Sequence, residues 1–253
     1  MQKIYIRNTV GWHITNEKFS SQFRDAISKE KEEDPDKEPE VSIHINSPGG
    51  SVWMGWDIFN EIRHAVSEGV IVKAYNNGLA ASIAHFILMA ADKEHRYVSE
   101  NSLGMIHNPS GMSFGDQNKM KREIEILTKI TDIVSSYYSR ITGKEEEYFK
   151  ALMSLTTWFK PEEMVSAGFI NEGNIVDGGE PIKPVDVKGM DKSSFANMPQ
   201  DFEKILNFSN ELPESTNPFG EDLTIIPNSQ IREKTWKNYI NCLDSRRQNL
   251  KAL

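Results

Sequence analysis

Asn77-Gly78-Leu79-Ala80-Ala81-Ser82-Ile83-Ala84, followed by Met105-Ile106-His107-Asn108-Pro109, sets one serine at the start of an apolar helix and one histidine at the end of an apolar strand. A serine hydroxyl is a poor nucleophile until a base takes its proton, so a hydrolase needs such a pair within hydrogen-bond reach. Upstream stands Ile45-Asn46-Ser47-Pro48-Gly49-Gly50-Ser51. Two consecutive glycines after a strand free backbone N–H groups to face an oxygen that turns negative during acyl transfer. Ser82 is then the candidate nucleophile and His107 the candidate base. The Gly49/Gly50 turn and the N–H of Ile83 are the candidate oxyanion donors. Alone, a serine on an apolar helix is a packing residue and Gly-Gly is a turn. In this order the three pieces point to serine-peptidase chemistry. The absence of Gly-x-Ser-x-Gly around Ser82 argues against an α/β-hydrolase elbow.

Outward from these motifs, short β-like runs alternate with helical patterns, which predicts an α/β fold built from βαβ units on a largely parallel sheet. The strand candidates are Lys3 to Arg7, Val41 to Asn46, Val70 to Asn76 and Leu103 to His107. Phe19, Phe23 and Ile27 recur on one face of a helix predicted over Asn16 to Glu30, and Lys29 to Glu40 reads as a charged, solvated loop. A helix after Gly49-Gly50 carries Phe59, Ile62 and Val66 on one side. The next begins at Ser82, is apolar almost all round, and so belongs inside the domain. Its position aims the positive end of a helix dipole at the reacting centre. A long amphipathic helix from about Asp116 to Ile141 bears Met120, Ile124, Leu127, Val134, Tyr137 and Ile141. Residues 172–200, with paired glycines and three prolines, read as a linker, and residues 201–253 as a helical or irregular C-terminal extension.

Composition sets outer limits. Of 253 residues, 38% are hydrophobic and 26% charged, which suits a soluble protein with a substantial core. A net charge of −8 argues against general affinity for nucleic-acid phosphates. One cysteine, Cys242, excludes an internal disulfide and fits a reducing cytoplasm. The N-terminal stretch enters an alternating strand pattern with no long apolar region, so no signal peptide is expected. The apolar run Ile83 to Ala91 is far short of the roughly 20 residues that span a bilayer, so no membrane partner is expected. His85 follows Ser82 along the same helix and is expected to pack rather than act as base. His13, His44, His64 and His95 show no metal-ligand spacing, and no glycine-rich phosphate motif is present. The expected chemistry needs neither metal nor cofactor.

The chain from Ile4 to about Asn171 resembles the Clp protease proteolytic subunit family, and within it the relatives encoded in phage and prophage head-morphogenesis clusters. Ile45-Asn46-Ser47-Pro48-Gly49-Gly50 matches the family's oxyanion loop, Gly78-Leu79-Ala80-Ala81-Ser82 its nucleophile motif, and Met105-Ile106-His107-Asn108-Pro109 its histidine motif. Leu152-Met153, Thr157-Trp158-Phe159, Glu162-Glu163 and Ala167-Gly168-Phe169 resemble the segment that closes the phage-type domain. The resemblance implies a Clp/crotonase-type βαβ superhelix over residues 1–171 and a serine endopeptidase acting on protein or peptide substrates. In the phage branch the substrate would be a scaffold or capsid precursor. It further implies a homo-oligomeric ring of six or seven subunits, with the long helix as a handle packed between subunits, and an ATP-dependent unfoldase as the family's usual partner. It places the family's catalytic acid at Thr156, where this chain has no carboxylate. Glu162 and Glu163 begin the following helix in the family. The departure leaves open a slow enzyme, a Ser-His dyad, or an acid supplied from elsewhere. Two other classes stand beside the peptidase: an assembly protein without activity, and a crotonase-like acyl-CoA enzyme.

Overall fold

The β-branched and aromatic residues of Gln2–Arg7 (β1) and Glu40–Ser47 (β2) suit extended backbone. The two strands pair in parallel, with Ile4 opposite Ile43 and Ile6 opposite Ile45. The fold, taken from a computed structural model, is described for residues 1–177. Between β1 and β2 runs Asn16–Glu33 (α1), capped by Thr15, whose side chain accepts from the N–H of Lys18. Phe19 and Phe23, one turn apart, are buried by α1 against the sheet. The helix runs past the expected end at Glu30 and takes up the first residues of the predicted loop. Val52–Ser67 (α2) follows β2, with Ser51 as its cap and Ile58, Phe59 and Ile62 inward.

Ile71–Ala81 (β3) then decides the architecture. Its first half pairs with β2 and with Arg96–Ser99 (β4), with Tyr75 opposite Tyr97. Its second half turns to Leu103–Ile106 (β5), with Ala81 opposite Met105. One strand thus forks into two neighbours. Asn76, fully buried, stitches the fork: its Nδ2 donates to the carbonyl of Leu103 at 2.9 Å and its Oδ1 accepts from the N–H of Gly78 at 3.2 Å. Five residues expected as a connection, Asn77 to Ala81, are therefore strand. Alternation cannot reveal this, because Leu79, Ala80 and Ala81 are buried whichever way they point.

Ile83–Leu88 (α3) is buried at every position. It is six residues long and excludes Ser82, which sits at its cap. The expected helix-dipole field is therefore confined to the free amides of one short turn. Gln117–Thr142 (α4) starts at Asp116, whose side chain accepts from the N–H of Lys119 at 2.9 Å, and stops at Gly143 in the left-handed region. The expected single stripe on α4 divides. Val134, Tyr137 and Ile141 pack on the domain's own core, whereas Met120 and Ile124 are 46% and 63% exposed. Glu146–Ser154 (α5) leads to Thr157–Phe159 (β6), which pairs antiparallel with β5. Pro161–Ser166 (α6) and Ile175–Val176 (β7) complete the described chain.

The sheet order is β1-β2-β3-β4-β7, parallel throughout, with β5 and β6 branching from β3. This is the α/β architecture with a mostly parallel sheet that the sequence implies. β4, β6 and β7 carry two to four residues each, too few for a periodic signal. β7 carries the sheet beyond Asn171, where the domain was expected to end. The rest of the expected linker, 178–200, and the extension, 201–253, lie outside the described residues. Among the described residues no helix is long and apolar enough to cross a membrane.

Candidate active site

Parallel pairing of β3 with β5 brings the chemistry together. Because Ala81 stands opposite Met105, the residues just past the two strand ends emerge side by side. His107 Nε2 lies 2.8 Å from Ser82 Oγ, within hydrogen-bond distance. Ser82 has φ +57° and ψ −128° at the strand-to-helix turn. Non-glycine residues rarely adopt that conformation, which costs about 1–3 kcal/mol. Burying Ile83, Phe86, Ile87 and Leu88 just beyond it contributes about 1.5–3 kcal/mol each. Packing therefore outweighs the strain and holds the hydroxyl outward. The Ser82 N–H also donates to the Met105 carbonyl at 2.8 Å, and the Ser82 carbonyl accepts from the N–H of His85 at 3.0 Å. A sharp, strained turn thus forms here without Gly-x-Ser-x-Gly.

Two glycines let other backbone approach the nucleophile. A Cβ on Gly49, at φ +98°, would lie 2.7 Å from both the Ala81 carbonyl oxygen and Ser82 Cβ. A Cβ on Gly55 of α2 would lie 2.1 Å from Ile83 Cγ1. The Gly49 turn therefore abuts the serine, and α2 sits directly against the first turn of α3. The Gly49 N–H donates to Ser47 Oγ at 3.1 Å, so as an oxyanion donor it must exchange that partner for substrate. Gly50, at φ +144°, lies against Val10, whose carbonyl oxygen would be 2.1 Å from its Cβ. Ile83 opens α3, and its N–H falls in the first turn beside Ser82, where helix amides have no intrahelical acceptor.

Burial holds the His107 imidazole below its ordinary value of 6.5, which keeps it neutral and able to accept a proton. His85 has another character. It is fully buried, its Nδ1 lies 3.1 Å from the Tyr138 hydroxyl, and desolvation pushes it down to about 3. An imidazole that stays neutral behind the serine is a packing group, as its place on the helix implied.

Thr156 is buried and has φ +52°, unusual for a β-branched residue. Its N–H donates to the Met153 carbonyl at 3.1 Å. Ile106 pairs with Thr157 at the end of the antiparallel register, so Thr156 and His107 each lie one residue beyond that last pair. Glu163 is committed elsewhere: its Oε2 accepts from the N–H of Lys160 at 2.8 Å, capping α6. Glu162 lies exposed in the same first turn.

Beside Ser82 and His107 opens a mostly apolar cleft, walled in part by Phe86, Ile130, Val134, Tyr138 and Met153. Sequence reasoning missed Ser47, Asn76 and Tyr138. The first two act through a pair of side-chain hydrogen bonds each, with no periodic trace. Tyr138 had a signal, since Ile130, Val134 and Tyr138 recur every fourth residue on one face of α4.

The family model described as Clp protease matches residues 9–176. The chloroplastic ATP-dependent Clp protease proteolytic subunit 3 of Arabidopsis thaliana is 32% identical over 146 residues, which cover 58% of this chain and 46% of that protein. The ATP-dependent Clp protease proteolytic subunit 1 of Prochlorococcus marinus subsp. pastoris is 31% identical over 153 residues, covering 60% of this chain and 74% of the relative. The subunit 1 of Leifsonia xyli subsp. xyli is 26% identical over 136 residues, covering 54% and 68%. The chain thus spans under half the length of the plant relative and about seven tenths of the bacterial ones.

Proposed function

The chain belongs to the Clp protease family, and from that premise we propose that it is a serine endopeptidase working through Ser82 and His107. The 2.8 Å contact between Ser82 Oγ and His107 Nε2 carries this reading. His107 takes the serine proton as Oγ attacks the scissile carbonyl carbon. The carbonyl oxygen, now negative, is received by the Ile83 N–H and the Gly49/Gly50 turn, where one donor is typically worth about 100- to 1000-fold in rate. The imidazolium then protonates the leaving amine, and a water deprotonated by His107 releases the acyl group. No metal or cofactor takes part. A crotonase-like acyl-CoA enzyme would have no use for the Ser82–His107 contact.

The finer role, processing of phage head scaffold or capsid precursors, rests on the resemblance of Leu152-Met153, Thr157-Trp158-Phe159 and Ala167-Gly168-Phe169 to the closing segment of phage-type domains. The relatives named above carry no such role in their names. A ring of six or seven subunits, an unfoldase partner and a cytoplasmic location belong to the same proposal. Thr156 favours one second reading, an assembly protein with little or no turnover, because a hydroxyl cannot offset an imidazolium charge. Steady-state hydrolysis of a fluorogenic peptide library separates the two. Wild type should turn over, and Ser82→Ala and His107→Ala should each lose at least about 1000-fold. Equal hydrolysis by wild type and Ser82→Ala would remove the peptidase reading.

A further inference from the structure

The end of α3 away from Ser82 is tied down by side chains. The Tyr137 hydroxyl donates to the Met89 carbonyl at 2.9 Å, Arg63 Nη1 to the Ala90 carbonyl at 3.0 Å, and Arg96 Nε to the Ala91 carbonyl at 2.8 Å. These three side chains, with Arg140 of α4 and Asp92, line one pocket between α2, α4 and the start of β4. Cations suit the carbonyl end of a helix, which explains one bond each of Arg63 and Arg96. It does not explain why three guanidiniums gather in one pocket of a chain whose net charge is −8.

The charge there is not balanced. Asp92 pairs with Arg63 at 2.8 Å. Arg96 is 4% exposed, and its Nε and Nη1 go to the neutral carbonyls of Ala91 and Phe169, the latter at 3.1 Å. Among the described residues its Nη2 has no acceptor and no carboxylate forms an ion pair with it. Arg140 lies over the Tyr137 ring, 5.1 Å from the centroid, and has no ion pair among the described residues either. Three guanidiniums against one carboxylate leave two positive charges, and a buried guanidinium without a counter-charge is costly. A phosphate group carries about −1.5 to −2 at neutral pH and presents several acceptor oxygens to planar N–H forks. It matches both the surplus charge and the free donors, whereas a single carboxylate would leave half the surplus in place. We infer that the pocket of Arg63, Arg96 and Arg140 binds a phosphate group, as the free ion or carried on a small molecule.

The test is thermal melting of the full chain titrated with inorganic phosphate, AMP, malonate or sodium chloride at matched ionic strength. A ligand that binds only the folded state raises Tm in a saturable way. Wild type should show that rise with phosphate and not with chloride. Arg140→Gln and Arg63→Gln should each weaken the apparent phosphate affinity about 10-fold, the scale of one charge-assisted hydrogen bond. Arg96→Gln should abolish the response. If Arg96→Gln or Arg63→Gln fails to fold, Arg140→Gln decides, because that side chain is exposed and holds no helix carbonyl. AMP that binds more tightly than phosphate would support a phosphate carried on a nucleotide, and AMP that binds no better would support the free ion. Equal responses to phosphate and chloride would overturn the inference, as would malonate binding as tightly as phosphate. An Arg140→Gln protein with undiminished phosphate affinity would overturn it too. Hydrolysis is not part of the readout, so the result is independent of the peptidase reading.

Discussion

Ser82 keeps φ +57° because its N–H is fixed to the Met105 carbonyl and its carbonyl receives the amides of His85 and Phe86. The approach of Ser82 to His107 was legible in sequence because each follows a strand and carries a distinctive flank. The strain was not, since the residue following Ala80-Ala81 could equally have opened a relaxed helix. On the peptidase reading, Thr156 is the residue that should limit the rate. A carboxylate opposite the imidazole fixes its tautomer and stabilises its positive form, and replacing that acid by an amide costs about 10⁴-fold in one triad. Thr156→Asp should therefore raise kcat about 10-fold or more, and aspartate tolerates the +52° backbone better than threonine does. Thr156→Val should cost only a few-fold, and Glu163→Gln should leave activity intact because that carboxylate caps α6. The pH profile supplies a second reading of the same change. Burial lowers the His107 pKa, so the neutral base survives to lower pH and the acid limb of kcat/KM should fall below 6.5. An aspartate at 156 favours the imidazolium and should move that limb upward. Acidic variants with unchanged rate and an unmoved limb would show that Thr156 does not face the base.

Among the elements, β3 and α4 show how far periodicity reaches. The sequence predicts a strand to Asn76, yet β3 continues to Ala81 and changes partner from β4 to β5 on the way. A partner exchange depends on register and on one amide, Asn76, and neither leaves a repeating pattern. The amphipathic stripe of α4 was fully legible, but a stripe says only that a face is covered, not by what. Its C-terminal half is covered by the domain's own core, and Met120 and Ile124 remain exposed along with Met112 and Phe114 of the preceding loop, at 83% and 73%. The proposed assembly therefore engages the N-terminal half of α4. Met120→Glu with Ile124→Glu should shift light-scattering mass from oligomer to monomer at micromolar concentration while circular dichroism stays unchanged. Val134→Ala should instead lower thermal stability, because it removes two methyl groups packed on the core. A double glutamate variant that assembles like wild type would place the interface elsewhere.

At the scale of the whole molecule, the family match over residues 9–176 covers nearly all the chain the structure describes. The α/β architecture and the Ser82–His107 pairing could be anticipated because both follow from strand order and local motifs. Short β4, β6 and β7, held by pairing rather than composition, could not. The peptidase reading depends on one claim: Ser82 is an activated nucleophile. Incubation of purified wild type with a fluorophosphonate, followed by peptide mass mapping, tests it without any knowledge of the natural substrate. The account predicts a single adduct on Ser82, lost in Ser82→Ala and slowed in His107→Ala. Labelling that persists in Ser82→Ala, or no adduct on correctly folded wild type, would contradict it.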